Sequence, residues 1–387
     1  GGENDNTVIG YLAGSAVDNN QNDNNVIVGR SAGTGGSGIM SGCIYIGSKA
    51  GENGHVRNQY DNVFIGRGAA GQAFGGQSDR NIGIGTLSMG GGSLNGANDN
   101  TAVGFEALKS ITSGTQNTII GSYAGDAITS GNYNTAIGSG AGGAITTGAK
   151  NTFVGRNVGT GGDDSNFNVA VGDTIMNANF GNSNIGIGYN VATGITGNGN
   201  IAIGGNVNTA SNSRNYTIGI GQNTLRYNNA HYTIAIGFQA GENNTSGDNN
   251  TFIGYSAGWK NTTGQQNTAL GCFFFFWEAL ATSTETDGNT AVGYQALTAV
   301  SGAAGTGNNT AVGFEAGKAV TSGWKSTMIG HRAGFQVTTG IYNTMVGHSA
   351  GYNTTTGAYN DVLGYGALYS SNGNYNVAIG TDIFFFF

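Results

Sequence analysis

Proline is absent from this chain of 387 residues. A backbone whose N–H groups are nearly all committed to inter-strand bonds has no place for a residue that cannot donate. Charge is scarce as well: 9% of residues are charged, where a globular domain carries about a quarter. The 14 Lys and Arg residues form no cluster and the net charge is −7, so no nucleic-acid partner is expected. The two cysteines, Cys43 and Cys272, lie far apart and offer neither a disulfide framework nor a metal-ligand spacing. Each reads as an isolated buried thiol. No apolar run approaches the ~20 residues of a membrane helix, so direct membrane insertion is not expected. With no initiating Met and no signal peptide, the chain is expected to be processed or a fragment.

Glycine, by contrast, is abundant, at 74 residues. It does not fall at every third position, which excludes collagen. Regularly placed β-branched residues argue against disorder. The regularity comes from a repeat: Asn, a β-branched residue, a variable residue, an aliphatic residue, then Gly. Asn6-Thr7-Val8-Ile9-Gly10, Asn100-Thr101-Ala102-Val103-Gly104 and Asn376-Val377-Ala378-Ile379-Gly380 are examples. The closing glycine recurs 22 times between Gly10 and Gly380, at spacings of 18 or 19 residues up to Gly104 and 16 or 17 as far as Gly271. Tandem units of this length signify a solenoid.

The columns of the repeat carry distinct chemistry. The opening position is Asn in 18 of 22 copies, including Asn6, Asn25, Asn62, Asn100, Asn134, Asn168, Asn200, Asn250, Asn289, Asn343 and Asn376. Identical amides stacked turn on turn are expected to bond into a ladder. The residue before Gly is Val, Ile or Leu throughout, and two positions earlier stands Thr, Val or Ile in every copy but Asp361. Alternation puts these two columns on one face of a strand, read here as the stacked interior. The middle column then points outward, yet it is often apolar, as at Ile27, Phe64, Ile119, Phe153, Phe252 and Met345. Two readings follow: a lateral interface for other copies, or an interior wide enough to take both faces.

After the glycine comes x-x-Ala-Gly or x-x-Ala-Leu, as in Tyr11-Leu12-Ala13-Gly14 and Phe105-Glu106-Ala107-Leu108. Alanine there predicts closely spaced walls. Turns follow at Thr112-Ser113-Gly114, Thr146-Thr147-Gly148 and Thr355-Thr356-Gly357, where hydroxyls bond locally and Gly reaches positive φ. The expected fold is therefore all-β: one continuous parallel β-solenoid, or β-roll, over residues 1–387, with about 22 coils of 16–19 residues. Longer coils span 1–104, and regular ones span 105–271 and 277–387. At the ~4.8 Å strand separation such a stack predicts a rod of roughly 100 Å. Cys272-Phe273-Phe274-Phe275-Phe276 interrupts it, and removing those five residues restores the 17-residue period. That run and Phe384–Phe387 read either as apolar docking patches or as placeholders for residues of unread identity, the second being preferred. The repeats reach almost to both ends without polar caps, which points to a longer chain or to neighbouring subunits.

The Asn-Thr-Ala-Val-Gly-Tyr-Gln-Ala-Leu stretch at 289–297 resembles the head repeats of trimeric autotransporter adhesins and, equally, the repeats of phage tail-fibre shafts. The similarity covers nearly the whole chain. It implies a β-roll, homotrimeric assembly about the long axis, surface exposure and adhesion to a host or matrix. No coiled-coil stalk, anchor barrel or C-terminal chaperone-like domain accompanies it here.

Few residues suggest chemistry. Glu278 and Glu315 hold equivalent positions two coils apart, as a glycosidase pair would require, but solvated repeat positions explain them better. Asp163-Asp164 falls in a loop without a calcium-type repeat, and His331 and His348 read as a surface row rather than a ligand pair; His55 and His231 stand alone. No cofactor, metal site or enzymatic activity is expected. The leading function is an extracellular structural and adhesive fibre, on a virion appendage or a cell surface, with itself and host or matrix glycans as partners. Candidate glycan-contacting or interface aromatics follow the closing glycine: Tyr11, Phe105, Tyr189, Phe238, Tyr255, Tyr294, Phe314 and Tyr365. A self-assembling extracellular filament is the alternative. A polysaccharide-degrading spike ranks lower. So does an ice-binding surface, because the Thr column is placed on the core face and gives way to Val or Ile from 169 to 234.

Overall fold

The computed structural model describes residues 5–15, 22–35, 38–52, 58–72, 74–209, 214–271, 279–280, 284–303 and 305–383. Glu278, Cys272, the Phe273–Phe276 run, Phe384–Phe387 and His55 lie outside them. Among the described residues every regular element is a strand, most of them three residues long. The architecture is a parallel β-solenoid of about 20 turns at a spacing near 17 residues. The chain divides into two compact units, residues 1–189 and 190–387.

Each unit is a ladder of equivalent strands in register. In the first, Thr101–Val103 lies between Ile82–Ile84 and Thr118–Ile120, with Thr101 opposite Ile82 on one side and Thr118 on the other. In the second, Thr327–Ile329 lies between Thr310–Val312 and Thr344–Val346, again column on column. Register cannot slip by one residue here, because a slip would turn every side chain to the opposite face.

The two faces are the reverse of the sequence expectation. The middle column is the interior: Ile27, Tyr45, Phe64, Ala102, Ile119, Phe252 and Met345 are all 0% exposed. The flanking columns, Thr and Val/Ile, are half-buried or exposed along almost every strand. The physical reason lies in the opposing wall, built from Ala32, Ala50, Ala107, Ala124, Ala257, Ala296 and Ala350, all fully buried. A third wall of Leu94, Ile111, Ile128, Ile145, Val320 and Val337 closes the interior. The opposing wall leaves room for one column of the strand, and the column it takes is the middle one, which varies from Gly83 to Phe64.

That freedom obeys a size rule. In most turns where the middle residue is large, the residue four after the closing glycine is glycine: Tyr45 with Gly51, Ile119 with Gly125, Phe153 with Gly159, Phe252 with Gly258, Met345 with Gly351; Phe64 with Ala70 and Val362 with Leu368 depart from this. Where it is Gly or Ala, that residue is long: Gly83 with Met89, Ala102 with Leu108, Gly219 with Leu225, Ala291 with Leu297. The contacts explain the pairing. A Cβ on Gly159 would lie 2.8 Å from three atoms of the Phe153 ring, and one on Gly51 2.9 Å from the Tyr45 ring. Four turns carry a small residue at both places: Gly186/Ala192, and three more, Ala136/Gly142, Ala235/Gly241 and Ala311/Gly317. In the last three the next turn fills the space, with the Phe153 ring beside Gly142, the Phe252 ring beside Gly241 and Met328 beside Gly317. The alternation of Ala-Gly and Ala-Leu in the sequence is thus the trace of volume conservation across a close-packed core.

The closing glycine is needed for a different reason. In every copy but Gly271 its φ lies between +124°, at Gly293, and +144°, at Gly104, a region in which side-chain-bearing residues are essentially not found. Neighbouring turns also approach here, so that a Cβ on Gly293 would lie 2.6 Å from the Gly313 carbonyl oxygen. Other corners are left-handed without glycine. The residue before the opening Asn has φ of 57° at Gln116, 59° at Tyr133, 59° at Lys150 and 60° at Phe167.

Candidate functional site

The opening asparagines line one edge of the strands, most of them buried, and along the ladder the amides bond from turn to turn. Asn134 is representative. Its Oδ1 accepts from the Asn151 backbone N–H at 3.1 Å and from Asn151 Nδ2 at 3.0 Å. Its Nδ2 donates to Asn117 Oδ1 at 3.1 Å and to the Gly148 carbonyl at 2.8 Å. The same pattern joins Asn25 to Asn6, Asn81 to Asn62, Asn100 to Asn81, Asn289 to Asn267 and Asn376 to Asn360. Asn168, Asn200, Asn250 and Asn343 pass the chain on through Oδ1 to Asn184 N, Thr217 N, Asn267 N and Asn360 N. Two donors and two acceptor positions are thus satisfied inside a site that water does not enter. The ladder locks each strand to the turn that closes it, which is a structural task rather than a chemical one.

Two further ladders escaped the sequence reading. Two residues before the opening Asn, an outer Asn or Asp often caps the preceding turn: Asn132 Oδ1 accepts from Thr115 N at 2.7 Å, and Asp248 Oδ1 from His231 N at 2.7 Å. Inside the second unit, Asn228, Asn244 and Asn261 replace the aliphatic third wall and bond in series at 2.9 and 2.7 Å. Their signal was available, since Asn falls seven residues after Gly221, Gly237 and Gly254.

The outward face of the strands carries a Thr or aliphatic column and, two residues on, an unbroken aliphatic one. Ile120, Ile137, Ile236, Ile253 and Ile329 are each 37–38% exposed and Leu363 is 51% exposed. The apolar stripe therefore exists, but on the columns the sequence reading had placed inside. One ground given against an ice-binding surface, that threonine faces the core, falls with that assignment. The replacement of Thr by Val or Ile between 169 and 234 remains.

The aromatic residues after the closing glycine stand outside the turns, and several stack. Tyr294, Phe314, His331, His348 and Tyr365 form one column with ring centroids 4.7, 5.0, 4.7 and 4.9 Å apart and planes within 14°. Phe238 stacks on Tyr255 at 5.2 Å, and Phe105 meets Tyr123 edge-on. Within such a column the ring faces cover each other and only edges reach solvent. Tyr11 and Tyr189, at 74% and 62% exposure, are the most open of the set.

Several titratable groups are held by neighbours. Burial opposes ionisation of Glu315, but hydrogen bonds from Lys318 Nζ and Arg332 Nε, each at 2.7 Å, hold its carboxyl below the usual range. A general acid needs the opposite shift. His231 Nδ1 accepts from Asn215 N, and burial pushes the Cys43 thiol up. The Asp163 carbonyl accepts from the N–H groups of the Thr146–Gly148 turn. Among the described residues no group of three or more His, Cys, Asp or Glu is placed to hold a metal ion. No protein-family model and no curated protein matches the chain.

Proposed function

We propose that this chain is a shaft or head segment of an extracellular structural and adhesive fibre, associated as a homotrimer along its outward Thr/aliphatic face. The observation that carries the reading is the apolar stripe repeated turn after turn on the outer side of the strands. A contiguous exposed stripe of this kind marks an association surface rather than a solvated one. The polar bonding supports the same reading: ladders of amides and backbone groups run from turn to turn and leave the outer loops to vary. Those loops carry the aromatic edges of Tyr11, Tyr189 and Tyr365, the proposed contacts for host or matrix glycans. The likeness to adhesin heads and tail-fibre shafts supplies the setting on a cell surface or virion.

Sedimentation or native mass measurement tests the assembly. A particle of three 39.1 kDa chains is expected. Ile236→Lys with Ile253→Lys should give monomers with unchanged β-sheet circular dichroism, because three like charges would face each other across the interface. A monomeric wild-type chain, or a trimer indifferent to both lysines, would contradict the proposal.

A further inference from the structure

The corner before the opening residue of the repeat holds a left-handed backbone, and glycine takes it without strain at Gly42, Gly199 and Gly288. Other turns place tyrosine there instead, at φ of 55° for Tyr342, 58° for Tyr359 and 60° for Tyr375. Burial does not repay that strain, since Tyr359 is 43% and Tyr375 75% exposed. The same left-handed corner holds Gln116 and Lys150, so it is the contact between the rings, not the backbone, that sets these tyrosines apart.

What these tyrosines gain is each other. Tyr342 stacks on Tyr359 at 5.0 Å and Tyr359 on Tyr375 at 4.9 Å, both with planes 9° apart. The three rings spring from equivalent positions on successive turns and lie nearly parallel, which holds each neighbouring pair at stacking distance. We propose that Tyr359 and Tyr375 are a covalent coupling site, at which a peroxide-driven one-electron oxidant joins the two rings carbon to carbon. Each phenol gives one electron and one proton, and together they reduce one peroxide to two waters. The two phenoxyl radicals pair at carbons ortho to their oxygens, forming one C–C bond. Each of those carbons then releases its hydrogen as a proton and each oxygen takes one up, so both phenols are restored. The product is lighter by two hydrogens.

The outer pair is preferred over Tyr342. Lys325 Nζ donates to the Tyr342 hydroxyl at 3.2 Å and lies 5.2 Å from its ring centroid, and a cation so close opposes removal of an electron. Coupling would staple consecutive turns at the surface, a role that the buried Cys43 thiol cannot take.

The test exposes the dilute full chain to a haem peroxidase with hydrogen peroxide. A digest that cleaves before Asp361 then separates Tyr359 from Tyr375. Mass spectrometry should find the two peptides joined and two hydrogens light, with fragmentation locating the bond at Tyr359 and Tyr375. Tyr375→Phe keeps the ring in the stack and should abolish that species while leaving circular dichroism unchanged. The proposal fails if no joined pair forms or if the joined pair survives in Tyr375→Phe. It fails equally if the bond maps only to the neighbouring Tyr352–Tyr369 stack, or if isotope mixing shows links between chains alone.

Discussion

Asn134→Leu is expected to destabilise the solenoid by about 2–6 kcal/mol, read as a fall in denaturant midpoint together with lost hydrogen-exchange protection at the Asn151 N–H. The figure follows from what the substitution strands. The Asn151 backbone N–H loses its acceptor at Asn134 Oδ1, and the Gly148 carbonyl loses its donor at Asn134 Nδ2. Each buried group left so costs about 1–3 kcal/mol. Asn117 Oδ1 and Asn151 Nδ2 keep one partner each, in Asn134 N and the Ser165 carbonyl, and add less. Asn134→Thr should cost markedly less. Thr217 already serves as such a rung, giving both its N–H and its hydroxyl to Asn200 Oδ1 at 3.0 and 2.7 Å. Equal loss for both substitutions would show that the amide bonds are incidental.

The size rule predicts a coupling between two sites. Phe252→Ala alone should cost about 3–5 kcal/mol, because the core around Gly241 and Gly258 cannot collapse into the space the ring leaves. Gly258→Leu alone should also destabilise, since a Cβ there already meets the Phe252 ring. Together they recreate the Ala291 and Leu297 pairing found elsewhere in the same unit. The double variant is expected to be more stable than either single one, in a thermal unfolding cycle on all four chains. Additive losses would mean that the two columns do not share one volume.

The period, the strands, the corner glycine and the opening Asn column were all legible in the sequence, because each is a one-residue signal repeated many times. The inside of the strand was not. Alternation states that two columns share a face, but when both faces are apolar it does not say which face is in. Three residues held the answer. Asp361 sits exposed in the column assigned to the core, and a lone carboxylate does not belong in an apolar interior. Gly83 and Gly219 sit in the column assigned to the outside, where nothing calls for so small a residue. Side-chain size opposite the alanine wall, not hydrophobicity, was the discriminating property. The candidate aromatics were placed on the outer surface by their position after the glycine, but their mutual stacking required the turns to be superimposed. The left-handed corners at Gln116, Tyr133 and Lys150 were invisible, since no residue type marks them.

Hydrogen exchange across the strands Thr310–Val312, Thr327–Ile329 and Thr344–Val346, compared in Met328→Asp and Ile329→Asp, tests the inside-out assignment most directly. Met328 is 0% exposed and Ile329 38%, although they are adjacent in one strand. Met328→Asp should abolish protection in all three strands, because the carboxylate has no partner in the core. Ile329→Asp should leave protection within about 1 kcal/mol of the wild type, because an outward carboxylate stays in water, as Asp361 does at the exposed start of its own strand. Protection lost in Ile329→Asp and kept in Met328→Asp would contradict the account.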